Sequence, residues 1–315
     1  MNKIQQFMHI LSKGICYPQL PLIRLVKSHA KWFSDEQYLK TLYWLTFHRR
    51  LNMSNPEGFN AKLQWMKIYD RRPQYVTMVD KYAVRAYVRQ KIGDEYLIPL
   101  IGVWDDPEEI NFDVLPQKFV LKCNHNSGIG MTICRDKSEL NVDATKKKLV
   151  RGLQDDYFVL SKEWPYSQVK RRIIAEELLE YKDSQRSLED YKFQCFNGVV
   201  DNVFICEGRF SKRGVRYHYF DREWNYLPYC PYPDVDSHTF TWPKPEHFEE
   251  MLRIAENLSA GFPEVRVDLY NVDGKIYFGE LTLFSQSGLD TDITREADMN
   301  MGKKLHLQNE VTGGE

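Results

Sequence analysis

The sequence predicts an α+β fold, and three observations carry that prediction. Apolar residues in the first third recur at helical spacing. The middle shifts to short runs rich in Val, Ile, Phe and Tyr. The second half holds two strand pairs closed by Asn197-Gly198 and Asp273-Gly274. With 315 residues, the chain can form one large domain or two lobes with a real core.

In chain order, the residues before Ser34 are mildly apolar and basic, with runs too short to span a bilayer. They read as a packing helix or loose arm, with contact to a membrane surface as the other reading. Ser34 and Gln37 have capping-box spacing, and Tyr38, Leu39, Leu42 and Leu45 form an apolar stripe behind them. NPEGFNAKLQWMKIYD reads as a turn and a second helix, and the spacing of Val79, Tyr82, Ala83, Ala86 and Tyr87 predicts a third over 77–92. KFVLKC (118–123) and IIAEELLE (173–180) read as strands, with a helix over KKKLVRGLQDDYFVL between them. YKFQCFNGVVDNVFICEGRF is a hairpin, followed by an aromatic tract. HFEEMLRIAENLSAGFP is a helix with Phe248, Met251, Leu252, Ala255 and Leu258 inward and Gly261 at its C-terminal end.

Composition narrows function by exclusion. A net charge of -1 gives no general reason to bind nucleic acid. The six cysteines form no CxxC pair, which argues against zinc, and in the absence of a secretion signal they read as reduced thiols of a cytoplasmic protein.

VRVDLYNVDGKIYFGELT (265–282) sets charge among residues that look buried. Arg266 and Asp268 share one strand face, and Phe278, Glu280 and Thr282 share another by alternation. A two-residue Asp273-Gly274 loop would put Asp268 and Glu280 on opposite faces. A three-residue loop, Val272-Asp273-Gly274, would bring them together, with Arg266 opposite Glu280 and Asp268 diagonal to it. Two converging carboxylates fit Mg²⁺, whereas an Arg266–Glu280 surface pair needs no ligand; the hairpin alone leaves both open. In KFVLKCNHNSGIGMTIC, Lys122 ends an apolar strand before a small glycine-containing loop that could cover phosphates. It is neither a Walker loop nor a Rossmann fingerprint, and a plain glycine hairpin is the alternative. Backbone groups at Glu176-Glu177-Leu178-Leu179 could read adenine, with Asp190 on a ribose and Lys192 on a phosphate; taken alone, an exposed acidic strand end explains that segment better.

Taken in order, Asp80-Lys81 with Arg85, Lys122 and its loop, EELL, DYK, RVD and GELT resemble an ATP-grasp enzyme. NPEGFNAKLQWMKIYD, VDKYAVRAYV, FVLKCNHNSG, DYKFQCFNG and VRVDLYNVDGKIYFGELT resemble the TupA-like (teichuronopeptide-biosynthesis type) family, over about residues 35–290. The resemblance implies two α+β lobes clamping ATP, preceded by a helical N-terminal region. It divides the chain into helical residues 1–76, an N-lobe with the glycine loop at 77–175, a C-lobe with the Mg²⁺ site at 176–300, and a tail at 301–315. By position, Lys81 and Lys122 would contact phosphates under the 124–130 loop, with Asn124, Ser127 and Gly128 in it. Glu176, Glu177, Leu178 and Leu179 would form the adenine hinge, Asp190 would hold the ribose and Lys192 a phosphate. Asp268, Glu280 and Thr282 would hold Mg²⁺, and Arg266, with Lys122, would serve catalysis. Thr282 departs from the general ATP-grasp pattern, where Asn is usual, but is normal for the TupA-like branch. The helical N-terminal third also departs from it, since many ATP-grasp enzymes have a Rossmann-like lobe there.

The resemblance implies a carboxylate–amine ligase of cell-surface polysaccharide assembly. It would join an amino acid or amino sugar to a uronic acid or sugar through an acylphosphate, with aromatic residues between Tyr217 and Trp242 stacking on sugars or forming strand core. A sugar kinase on the same scaffold and a non-catalytic nucleotide-binding assembly protein are the rivals. Asp234-Val235-Asp236 spells a glycosyltransferase DxD, but in a Pro- and Tyr-rich loop with no buried strand before it.

Overall fold

The structure, a computed structural model, describes residues 19–183, 188–208 and 214–307. The arm before residue 19, for which surface contact was one reading, lies outside the described residues, as does the tail beyond 307. Among the described residues, no helix is long and apolar enough to cross a membrane.

The first third is helical: α1 (Gln19–Ser28), α2 (Asp35–Phe47), α3 (Phe59–Tyr69), α4 (Gln74–Val79) and α5 (Val84–Ile92). Ser34 and Gln37 close the capping box that starts α2. The stripe Tyr38, Leu39, Leu42 and Leu45 is buried, and the first three of these pack with Met53 and Ala61 in a local core. The single helix expected over 77–92 is two helices. Asp80 Oδ1 accepts the backbone N–H groups of Tyr82 at 2.8 Å and Ala83 at 3.1 Å, so its side chain competes with the helix and breaks it. Lys81 stands in that break.

A small antiparallel sheet follows, from β1 (Leu100–Trp104), β2 (Phe119–Cys123), β3 (Thr132–Cys134) and β4 (Ile173–Glu177), in the order β1-β4-β2-β3. The strand expected to reach 180 ends at Glu177, and the expected boundary after 175 falls inside β4. The helix expected over 146–160 begins earlier, where Asn141 caps it, and is split at Asp155-Asp156 into α6 (Val142–Gln154) and α7 (Tyr157–Ser161). Leu149 of α6 is buried with Phe119, Leu121, Ile173 and Ala175 of the sheet.

The large sheet comprises β5 (Asp190–Phe196), β6 (Val199–Glu207), β7 (Arg216–Phe220), β8 (Tyr226–Leu227), β9 (Glu264–Val272) and β10 (Lys275–Thr282), in the order β10-β9-β5-β6-β7-β8. Asn197 and Gly198, both at positive φ, turn the β5–β6 hairpin. Phe193, Val265, Val267 and Leu269 on one face join the core with Phe248, Met251, Leu252, Ala255 and Leu258 of α8 (Phe248–Ser259). Each such side chain contributes about 1.5–3 kcal/mol by leaving water. The sheets are tied together by the Phe278 N–H donating to Tyr96 O at 2.7 Å and the Tyr181 hydroxyl donating to Asn271 O at 3.0 Å. A last helix, α9 (Arg295–Lys304), packs on α3.

The β9–β10 hairpin corrects the expected geometry. Val272 pairs with Lys275, so the loop is the two-residue Asp273-Gly274 turn, which by simple alternation would separate Asp268 from Glu280. A β-bulge restores them: Phe278 pairs with Leu269, Gly279 is the extra residue, and Glu280 pairs directly with Asp268. Arg266 therefore lies opposite Thr282 rather than Glu280, and Phe278 joins the apolar core instead of sharing the Glu280 face. A Cβ at Gly279 would sit 3.0 Å from Asp268 O and 3.1 Å from the Tyr270 ring, so the bulge needs glycine. Gly279→Ala is expected to lower unfolding free energy by about 1–3 kcal/mol. Urea unfolding of this variant with an unchanged midpoint would show that the bulge is not tight.

Candidate functional site

The bulge adds Glu280 and Thr282 to a polar floor on the face of the large sheet opposite α8. Arg266 and Asp268 of β9, Lys192 and Gln194 of β5, and Glu280 and Thr282 of β10 meet there. Over this floor lies a cavity of about 400 Å³, within the roughly 300–1,000 Å³ of small-molecule sites. Lys81, Asn126 and Ser127 line one side; Tyr157, Glu163, Tyr166 and the turn from Phe284 to Ser287 line another.

Asp268 is 2% exposed. Arg266 grips it through Nε (2.7 Å) and Nη2 (2.8 Å), and Lys192 Nζ donates to its Oδ2. Burial opposes its charge, yet Arg266 and Lys192 hold it below the usual carboxylate range. Lys192 also meets Asp190 at 2.7 Å; burial works against its charge, but Asp268 and Asp190 keep its pKa raised. Arg266 Nη2 also donates to Thr282 Oγ1 at 2.9 Å and lies 3.4 Å from Glu280. Glu280 has a side chain 40% exposed and faces the cavity, 3.8 Å from Lys81 Nζ. Burial lowers the pKa of Lys81, with Glu280 opposing.

The glycine loop is anchored at both ends and open at its tip. Asn124 Nδ2 donates to Asp80 Oδ1 (2.8 Å) and Lys170 O (2.9 Å), and its Oδ1 accepts the Arg172 N–H at 2.7 Å. That buried amide is occupied in holding the loop's base. Lys81 Nζ donates to Asn126 O at 2.8 Å, and Asn126 Nδ2 donates to Gly152 O at 3.0 Å. Gly130 rests on Gly152 of α6, and a Cβ on Gly152 would come within 2.9 Å of Gly130 Cα. Ser127, Gly128 and Ile129 are exposed.

Of the residues singled out from sequence, Lys81, Ser127, Lys192, Arg266, Glu280 and Thr282 line this cavity. Lys122 and Glu176 form a separate cluster beside Lys81, in which Glu176 bonds Lys122 Nζ at 2.5 Å and Arg85 Nη1 at 3.0 Å. Glu177 donates its N–H to Pro99 O at 3.1 Å. Leu178 and Leu179 follow, half-buried, on the chain leading to the β9–β10 turn, where the Lys182 N–H reaches Asp273 Oδ2 at 3.0 Å. Asp190 and Asp268 lie behind Lys192 and Arg266.

Several lining groups had no sequence signal. Glu163 sits in a segment without periodicity. Gln286 (φ 48°), Ser287 (φ 55°) and Gly288 (φ 62°) form a left-handed run that no turn pattern announces. Two such non-glycine residues in succession are strained. Gln64 Nε2, bonding Ser287 O at 2.9 Å and Gly288 O at 2.7 Å, and Lys67 Nζ, bonding Ser287 O at 2.8 Å, hold them there. In the aromatic tract, Tyr217 and Tyr219 reach the cavity, whereas Phe240 and Trp242 stack on buried His218 as core.

Among the described residues, no group of three or more His, Cys, Asp or Glu converges as a metal site. The paired Asp268 and Glu280 with the Thr282 hydroxyl nevertheless fit Mg²⁺, which takes one or two carboxylates and fills its shell with water and phosphate oxygens. Glu280 is open for this, and Asp268 stands directly opposite it with its oxygens held by Arg266 and Lys192.

Lys192→Met would leave Asp268 and Asp190 buried with one cation fewer, an expected loss of about 3–5 kcal/mol. Denaturant unfolding checks it, and a loss below about 1 kcal/mol would mean the network is solvated. Burial raises the Asp290 carboxyl, on the cavity wall, to about 6. The folded state thus retains a proton that the unfolded chain gives up at lower pH, so stability falls as pH rises from about 4 through 6. Asp290→Asn cannot ionise and is expected to be more stable than wild type by up to about 3 kcal/mol near pH 8, with no advantage near pH 4. Equal differences at both pH values would contradict this.

A family model described as TupA-like ATPgrasp matches residues 61–306. No curated protein matches the chain. Similar solved structures include D-alanine–D-alanine ligase from Helicobacter pylori, at 14% identity and TM-score 0.40, covering 80% of this chain and 70% of that one. The ligase of the same name from Bacillus anthracis, complexed with ATP, gives 15% identity and TM-score 0.43, covering 80% and 66%. The ATP-grasp ligase PsnB, complexed with minimal precursor, gives 12% and 0.40, covering 78% and 66%. The chain spans 66–70% of the length of these structures.

Proposed function

The chain belongs to the TupA-like ATP-grasp family, and we propose that it is an ATP-dependent carboxylate–amine ligase acting in cell-surface polysaccharide assembly. The observation that carries this reading is the convergence of Lys81, Lys192 and Arg266 with an open Glu280 in one cavity, beside the exposed tip of a tethered glycine loop.

In this reading the loop tip from Ser127 to Ile129 offers backbone N–H groups to phosphate oxygens, and Lys81 and Lys192 offset their charge. Lys122 supports Lys81 from the neighbouring Glu176–Arg85 cluster, and Glu176 to Leu179 with Asp190 serve the nucleoside. Glu280, Asp268 and Thr282 would hold Mg²⁺, which supplies charge neutralisation on the phosphates. A substrate carboxylate oxygen attacks the γ-phosphorus, the bond to the bridging oxygen breaks, and ADP leaves. An amine then attacks the acylphosphate carbon, a C–N bond forms and phosphate departs. Arg266, fixed by Asp268, is aimed at the oxyanion of that step. The family resemblance supports an amino acid or amino sugar as one partner and a uronic acid or sugar as the other. Tyr217 and Tyr219 supply aromatic surface for a sugar ring.

The test is ATP turnover against pools of amino acids and uronic acids, with product masses. ADP and phosphate appearing with an amide support the ligase; a stable phosphosugar would make the protein a kinase, and no ADP with any acceptor would end the enzyme reading. Glu280→Gln, half-exposed and outside the core, is expected to fold normally and lose about 100-fold or more in ADP formation. Retained turnover would remove Glu280 from the site.

A further inference from the structure

One wall of the cavity holds ionisable groups that phosphate binding does not use. Glu163, between α7 and β4, is 3% exposed and lines the cavity with Tyr157 and Tyr166, whose rings meet edge to face at 4.8 Å. The Tyr157 hydroxyl lies 3.4 Å from Glu163 Oε1. Lys67 of α3 approaches from below, but its ammonium donates to Ser161 O at 2.8 Å and to Ser287 O and Oγ at 2.8 and 2.7 Å. Arg266 and Glu264 of β9 face the same region, and Arg266 is already committed to Asp268. Among the described residues, neither Glu163 nor Asp290 lies within salt-bridge distance of a cation. The cations of this cavity thus bond to protein partners, whereas Glu163 feels the charge of Lys67 without a direct ion pair to it.

We infer that this wall is an acceptor pocket for a primary amine, and that Glu163 is the general base that takes a proton from its ammonium group. The inference rests on the ligase reading and adds to it the base and the class of nucleophile. The rings of Tyr157 and Tyr166 beside the Glu163 carboxyl group suit an ammonium ion, by cation–π attraction and by charge. An ammonium group has no lone pair, so it must lose a proton before it can attack. Glu163 takes that proton; the nitrogen lone pair forms the C–N bond, the C–O bond to phosphate breaks, and the second nitrogen proton leaves with hydrogenphosphate. Burial raises the Glu163 pKa, with Lys67 opposing, which makes it a stronger base than an exposed carboxylate.

The experiment compares wild type with Glu163→Gln, using the full chain, ATP, a panel of uronic and amino acids as carboxylate donors, and two nucleophiles. One is a primary amine; the other is hydroxylamine, already neutral at pH 7. Glu163→Gln is expected to lose about 100-fold or more in amide formation while retaining hydroxamate formation within a few-fold, since hydroxylamine needs no base. Retained hydroxamate formation also shows that the variant is folded. Equal loss with both nucleophiles, or no loss with the amine, would overturn the proposal and leave the ligase reading intact. If wild type forms no hydroxamate with any donor, the ligase reading fails and this inference with it. Should Glu163→Gln not fold, the pH profile of wild type decides. An acidic limb with the amine that hydroxylamine lacks supports the base; identical profiles overturn it.

Discussion

A carboxylate with almost no access to water is held charged between two strands of the large sheet, and the site around it is arranged on that requirement. Asp268 stays ionised because Arg266 and Lys192 reach it from its own strand and from the next. That demands a fixed register between β5 and β9, with Lys192 directly opposite Asp268. It also demands that the facing side of the sheet be given up to polar groups, which concentrates the hydrophobic core on the side of α8. Removing two charges from water costs several kcal/mol each, and only good geometry recovers it. The network is therefore a specification of structure more than a source of stability.

Much of the fold was legible because local signals and packing agree. The Ser34 capping box, the stripe of α8 and the Asn197-Gly198 turn each rest on one short-range rule that tertiary structure leaves in force. The failures share a cause too. Asp80 breaks an apolar helical pattern through one side-chain oxygen, and periodicity is blind to that. The β9–β10 hairpin has the two-residue loop that the Asp-Gly spelling suggests, but Gly279 looked like any strand glycine, and only the paired strand shows that it adds a residue.

The candidate site was legible in one half. Charges set in apolar strands are conspicuous, and so is a glycine loop after a strand ending in lysine. Arg266, Glu280, Thr282, Lys192, Lys81 and Ser127 all meet at one cavity. The other half had no such contrast. Glu163, Tyr157 and Tyr166 come from a short helix, a helical turn and the link between them, with no apolar stripe to mark them, and Gln286-Ser287 is held in its left-handed form by Gln64 and Lys67, more than 200 residues away. What a pattern of near neighbours cannot hold is a conformation enforced from the other end of the sequence.

The contact between Gly130 and Gly152 has a bearing on how such a cavity diversifies. The loop's height above the floor is fixed where two glycine backbones touch, with the Cys123 thiol packed against both. A single methyl on α6, at a position no ligand reaches, would act as a shim and tilt the whole loop. The depth of the cavity at the loop end is thus set by atoms that are missing, and a change in what fits there can enter through a helix that does not line it.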